Sequence, residues 1–292
     1  MSADKPPIIG RFAPSPTGPL HLGSLYTALA SFLQARSQQG RWLLRIDDLD
    51  TPRNRPDAVA AILNALDNLG LHWDGPVVYQ SQQLDAYQAI LAQLEQRGCL
   101  YRCDCSRKML SGEAYSGRCR HRQIPPDTDH ALRVTTTNQT LRFTDALQGP
   151  IAEELLSPHS DFIVRRKDHI IAYQFAVVVD DYLQQVNEIV RGCDLLSATP
   201  KQIYLHQLLG YPIPRYLHVP ILVDAQGYKL SKQTLATAVD TRHPAAVLFV
   251  LLALLQQQPP VALQQASVAE VLAWAIAHWQ PERLRNQQSL GV

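Results

Sequence analysis

Between Ile8 and Asp47 the chain reads as a strand (Ile8–Ala13), a turn crowded with proline and glycine, a helix from about Leu22, and a second strand in WLLRID (Trp42–Asp47). No other stretch constrains the fold as much. The helix shows in the spacing of Leu22, Leu25, Tyr26, Leu29, Phe32 and Leu33, which falls on one face at 3.6 residues per turn. A second helix follows in AVAAILNALDNLG, where Gly70 supplies the C-terminal stop. VVYQ then leads to a third helix, Leu84–Gln96. Strand followed by helix, repeated, predicts a parallel α/β sheet.

That rhythm breaks over residues 99–169, which lack long helical patterns and hold most of the cysteines. It resumes in IIAYQFAVVVDDYL and NEIVRGCDLL, a helix ending at Gly210, and YLHVPILV. The expected organisation is a nucleotide-binding α/β domain in two halves, 1–98 and 170–223, interrupted by an insertion at 99–169. Residues 224–292 are expected to form a loop and a small helical tail.

Bulk properties narrow the class. With 292 residues, 46% hydrophobic and 18% charged, the chain can bury a large core. Its longest apolar run, Ala245–Leu255, is eleven residues, well short of a membrane span, and the start MSADKPPIIGRF lacks an apolar signal core. The expectation is a cytoplasmic protein with no membrane partner. A formal charge of +1 argues against a broad basic nucleic-acid surface, although RCRHR (Arg118–Arg122) and RRK (Arg165–Lys167) could form a local one. Five cysteines without a secretion signal argue against a disulfide framework.

Two stretches carry chemistry. In RFAPSPTGPLHLGS, Arg11–Ser24, a strand end passes through a turn into a helix whose first turn holds His21 and Gly23. Unpaired amides and the helix dipole attract phosphate there, histidine can donate to a phosphate oxygen, and glycine lets a flat base approach the backbone. Far along the chain, KLSKQ places Lys229 and Lys232 three residues apart beside a Gly-containing turn.

Taken together, RFAPSPTG with HLGS resembles the first signature of class I aminoacyl-tRNA synthetases in its glutamyl form, and KLSKQ resembles the second. AYQFAVVVDD and IVRGCDLL also look like segments of glutamyl-tRNA synthetases. The resemblance implies a Rossmann-like class I catalytic domain that joins L-glutamate to ATP, with Mg²⁺ on the phosphates and release of pyrophosphate. On it, His21, Lys229 and Lys232 are the expected catalytic cations, and His21, Gly23, Ser24, Lys229 and Lys232 hold ATP. Lys232 is the first choice for contact with the transition state. Glutamate falls to Arg11, Phe12, Ala13, Pro14, Ser15, Asp47, Tyr173 and Arg191, the two arginines suiting its carboxylates because each can donate two parallel bonds. Asp47 departs from the family, which has glutamate at this position for the substrate ammonium, and its shorter side chain would need a small backbone shift or a bridging water.

Only 59 residues follow Gln233, too few for the anticodon-binding region of a bacterial glutamyl-tRNA synthetase, so the closest likeness is to the truncated glutamyl-Q branch. This implies activation without tRNA, then transfer to the cyclopentenediol of queuosine at the wobble position of tRNA(Asp), by a monomer. Alternatives are a minimal glutamyl-tRNA synthetase charging a 3′ end, a related nucleotidyltransferase of small-molecule metabolism, and a noncatalytic RNA-binding relic. The retained His21 and lysines argue against the relic.

The insertion holds CDCSRKMLSGEAYSGRC. Cys103 and Cys105, two apart, share one face of an extended strand, and with Cys119 they form a soft thiolate set that favours zinc. Tyr115, His121 or Cys99 could complete four ligands. The glutamyl-Q resemblance implies Tyr115, in a structural zinc site.

Overall fold

A computed structural model describes residues 6–110, 115–228 and 241–292, with the side chains of residues 107 and 108 outside that description. Strand β1 (Ile9–Phe12) leads into α1 (Leu22–Arg36), β2 (Arg41–Ile46), α2 (Ala58–Asn68), β3 (Val78–Tyr79) and α3 (Leu84–Gln96). β1 pairs parallel with β2 and β2 with β3. The second half supplies α5 (Tyr173–Leu183), β9 (Glu188–Gly192), α6 (Thr199–Leu209) and β10 (Arg215–Val219), with β9 and β10 again parallel. Asn187 ties the halves together: its backbone N–H donates to Ile9 O at 3.1 Å, and its side chain accepts from Ile9 N at 2.8 Å. β1 and β9 therefore run side by side where chain direction through the sheet reverses, the crevice in which open parallel sheets bind ligands.

α1 is buried along most of its length between sheet and tail, so its sequence is apolar on more than one face. α2 shows the narrower stripe of a surface helix, with Ile62 and Leu66 inward. It ends at Gly70, whose φ of 67° is the left-handed cap the sequence predicted.

Between the halves lie β4 (Leu100–Cys103), the short α4 (Arg107–Leu110), β5 (Ala131–Val134), the hairpin β6 (Gln139–Asp145) and β7 (Gly149–Leu155), and β8 (Ile163–Arg165). β4, β5 and β8 form an antiparallel sheet. The hairpin folds back on the parallel sheet: Ala146 N donates to Tyr216 O at 2.9 Å, and Asp145 reaches the backbone of His218.

After β11 (Ile221–Val223), α7 (Pro244–Leu254) and α8 (Val268–Ala277) pack on α1, and Leu248, Leu251, Leu252, Val271 and Leu284 share one core with Leu25, Leu29, Phe32 and Trp42. Strand β12 (Ser289–Gly291), which no sequence pattern announced, pairs parallel with β11. Among the described residues, no helix is long and apolar enough to cross a membrane.

Candidate active site

A cavity of about 860 Å³ opens at the carboxyl ends of β1 and β9. It is lined by Arg11, Phe12, Ala13, Pro14 and Ser15 from the end of β1, by His21, Gly23 and Ser24 at the start of α1, by Tyr173 at the start of α5, and by Arg191 in β9. The fold thus gathers ten of the residues singled out in sequence, from four separate elements. Lys229 and Lys232 lie outside the described residues.

His21 is the N-cap of α1: its Nδ1 accepts from Ser24 N at 3.3 Å, and Nε2 lies 3.0 Å from Ser24 Oγ. The imidazole therefore stands at the helix end where free amides favour an anion.

Arg191 is buried and its guanidinium is held on three sides. Nε donates to His218 Nε2 at 3.0 Å, Nη2 donates to Thr199 Oγ1 at 2.8 Å, and the Tyr216 ring lies 5.3 Å from Cζ. Nη1 is buried and has no hydrogen-bond partner among the described residues. His218 in turn contacts Asp145 Oδ2 through Nδ1 at 2.6 Å. Burial and the neighbouring Arg191 hold the His218 pKa below its ordinary value, against the pull of Asp145. Burial would raise the Asp145 carboxyl, but His218 and the backbone N–H groups of Gln148 and Leu147 together hold it low.

The opposite wall rests on a buried charge cluster. Arg11 Nε pairs with Asp181 Oδ1 at 3.1 Å, and Arg45, fully buried, pairs with Asp181 at 2.7 Å, Asp47 at 2.8 Å and Asp180 at 3.6 Å. Burial would raise Asp181, but Arg11 and Arg45 hold it down at about 2. At Asp47 burial wins over Arg45, and its carboxyl is pushed up to about 6. Asp47 does not reach the cavity. Its backbone N–H meets Pro14 O at 3.0 Å just behind the wall, but its carboxylate is turned to Arg45 and only 6% exposed. The other expected glutamate contacts line the cavity, whereas the Asp47 carboxylate is bonded to the Arg45 guanidinium inside the core.

Other residues line the cavity without having been singled out. Tyr26 counted as one more apolar position of α1, yet its buried hydroxyl has no partner among the described residues. Arg55 lines it from a segment with no pattern of its own, and Asp194 from IVRGCDLL, where only Arg191 had been picked out. Asp145 and His218 are 73 residues apart, so no local signal could have joined them.

In the insertion the sulfurs of Cys103, Cys105 and Cys119 lie within 4.8 Å of one another, all buried. Tetrahedral zinc with sulfur at ~2.3 Å sets its ligands roughly 3.8 Å apart, so the three thiols fit. Tyr115 is packed among them, with its hydroxyl accepting from Cys119 N at 3.0 Å and its ring under Arg133. Burial opposes ionisation of Cys103, but hydrogen bonding to Cys105 and Arg133 wins and lowers its pKa, while burial raises Cys105 to about 12. His121 is exposed, and Cys99 packs against a different core. Bound zinc would cross-link β4 to the turn at Tyr115–Cys119.

Comparison with known proteins places the chain. Residues 7–255 match the family described as tRNA synthetases class I (E and Q), catalytic domain. The Glutamyl-Q tRNA(Asp) synthetase of Aromatoleum aromaticum is 47% identical over 282 residues, covering 94% of this chain and 89% of the relative. The protein of that name from Ectopseudomonas mendocina is 46% identical over 284 residues, covering 97% and 96%. The chain belongs to the glutamyl-Q tRNA(Asp) synthetase family. Membership in the class I enzymes brings with it the use of ATP. A glutamate tRNA ligase from Elizabethkingia meningosepticum, solved with its amino acid, shares the fold at a TM-score of 0.79 and 23% identity. That likeness covers 97% of this chain and 66% of the ligase, so this chain spans just under two thirds of its length.

Proposed function

We propose that this protein joins L-glutamate to ATP as glutamyl-adenylate without tRNA and then transfers the glutamyl group to the queuosine cyclopentenediol at the wobble position of tRNA(Asp). The observation that carries the reading is the cavity itself, where two buried guanidiniums face a helix N-terminus capped by histidine across a space large enough for an amino acid and a nucleotide. Arg11 and Arg191 bind the carboxylates of glutamate, Tyr173 supplies a hydroxyl, and Ser15 lies in the same turn. His21, Gly23 and Ser24 receive the triphosphate, accompanied by Mg²⁺.

Adenylate formation asks the protein for position and positive charge: the α-carboxylate oxygen attacks the α-phosphorus, the P–O bond to the β-phosphate breaks, and pyrophosphate leaves. Lys229 and Lys232 are assigned the charge developing on the phosphates, with Lys232 closest to the transition state. Cys103, Cys105, Tyr115 and Cys119 are assigned one structural zinc. The names of the relatives support the acceptor.

The test is transfer of radiolabelled glutamate, with ATP and Mg²⁺, to native queuosine-containing tRNA(Asp) and to an unmodified transcript. Label on the native tRNA alone is expected. Label on both would mean charging of a 3′ end, and label on neither, with pyrophosphate exchange intact, would mean a different acceptor.

A further inference from the structure

Arg191 is one of two buried arginines that line the cavity, and part of what holds it comes from the insertion. Asp145, at the end of β6, passes out of the inserted segment, and its Oδ1 accepts the backbone N–H of Leu147 and Gln148, both at 2.9 Å. Those bonds, with the His218 backbone N–H at 3.2 Å from both oxygens, fix the carboxylate and set Oδ2 against His218 Nδ1 at 2.6 Å. A carboxylate can only accept, so Nδ1 carries the imidazole proton and Nε2 presents a lone pair. That lone pair faces Arg191 Nε, which can only donate. With Nε and Nη2 both bound, Nη1 is the edge of the fork left to receive a ligand.

We infer that Asp145 and His218 form a positioning relay, by which the hairpin of the insertion fixes the tautomer of His218 and thereby aims the guanidinium of Arg191 at a carboxylate of the amino-acid substrate. The inference rests on the glutamate reading of the cavity for the identity of that ligand. The relay touches neither ATP nor the reacting phosphorus, so its effect is on amino-acid affinity. Because Arg191 is equally engaged in ground and transition states, the loss falls on KM and not on kcat.

Asp145→Asn is the discriminating change. The two backbone N–H groups hold the amide oxygen where Oδ1 stands, so the amide –NH₂ turns to His218 Nδ1 and forces the proton onto Nε2. Nε2–H then faces Arg191 Nε–H, at a separation that is 3.0 Å now, and the one nearby acceptor described for it is Thr199 Oγ1 at 3.2 Å, so the bond from Arg191 is lost. A hydrogen bond to a charged group is lost, which corresponds to about a 10- to 100-fold rise in KM for glutamate. His218→Phe removes the acceptor outright and should do the same. His218→Gln, whose side-chain oxygen can stand in for Nε2, should recover most of the affinity.

Two readouts decide it on the full-length protein. ¹⁵N-histidine NMR without substrate reports the tautomer: Nδ1–H in the wild type and its reversal in Asp145→Asn are expected, and a wild-type His218 protonated on Nε2 would overturn the relay. Glutamate-dependent ATP–pyrophosphate exchange reports the consequence: KM for glutamate rises in Asp145→Asn and His218→Phe with kcat and KM for ATP kept. Equal losses in Gln and Phe variants, or a fall in kcat at unchanged KM, would refute it. If the wild type shows no exchange with glutamate, the substrate assignment falls, while the NMR result still decides whether the relay exists.

Discussion

Replacing Arg45 by Met removes the one cation that three buried carboxylates share. In the wild type, Arg11 and Arg45 face Asp47, Asp180 and Asp181, one negative charge in excess; in the variant the excess is two, in a region where the Arg45 side chain is 0% exposed. Breaking a buried ion pair by deleting one partner costs about 3–5 kcal/mol, and two contacts under 3 Å are lost here, so the upper end applies. At roughly 2–4 °C per kcal/mol for chains of this size, the melting temperature should fall by about 10–20 °C. The pH dependence has a definite sign. Asp181, held at about 2 by its two arginines, contributes stability at neutral pH that is lost only as pH falls through that value. Without Arg45, burial raises the carboxyls in the folded state, and groups raised in this way favour folding at low pH and lose that contribution as pH rises. The deficit should therefore be larger at pH 8 than at pH 5. Thermal unfolding followed by circular dichroism at both pH values measures this; a drop below about 3 °C, or the same drop at each pH, would refute the view that Arg45 neutralises the cluster. Asp74→Asn serves as the comparison, since its partly exposed pair with Arg36 at 2.8 Å should be worth only about 1 kcal/mol.

Cys103→Ser should release zinc and lower the melting temperature, and metal analysis showing the same content as wild type would remove Cys103 from the ligand set. Gly70→Ala puts a side chain at a φ of 67° and a Cβ 2.9 Å from Val268 Cγ1, so urea denaturation should show a loss of about 1–2 kcal/mol; no loss would mean that α8 gives way. Lys232→Ala should cut glutamate-dependent pyrophosphate exchange by about 10²-fold or more, as expected for removal of a transition-state charge, and near-normal exchange would end that assignment.

Local signals served the fold well wherever structure is local. The helices at Leu22 and Leu84 begin where the periodicity places them, because apolar spacing and flanking turn residues act within a few residues. β12 escaped notice because SLG has no alternation and is a strand only through its pairing with Ile221–Val223. The same division runs through the cavity. Arg11, His21 and Arg191 could be picked out since each sits in a recognisable stretch, whereas the partners that orient Arg191 come from Asp145 and His218, distant in sequence and ordinary in their surroundings. Asp47 shows the converse: the position was legible, but its direction depends on Arg45 and the cluster behind it, which only the packed core reveals.

The pairing of β11 with β12 carries a practical consequence for handling the protein. Ile221, Leu222 and Val223 present a short apolar strand whose open side is covered by Ser289–Gly291, with Ile221 N bonded to Gln288 O and Val292 N to Val223 O. Deleting residues 288–292 would strip that cover and expose a β-branched edge ready to recruit a strand from another copy, so such a truncation should precipitate or self-associate even if every cavity residue stays in place.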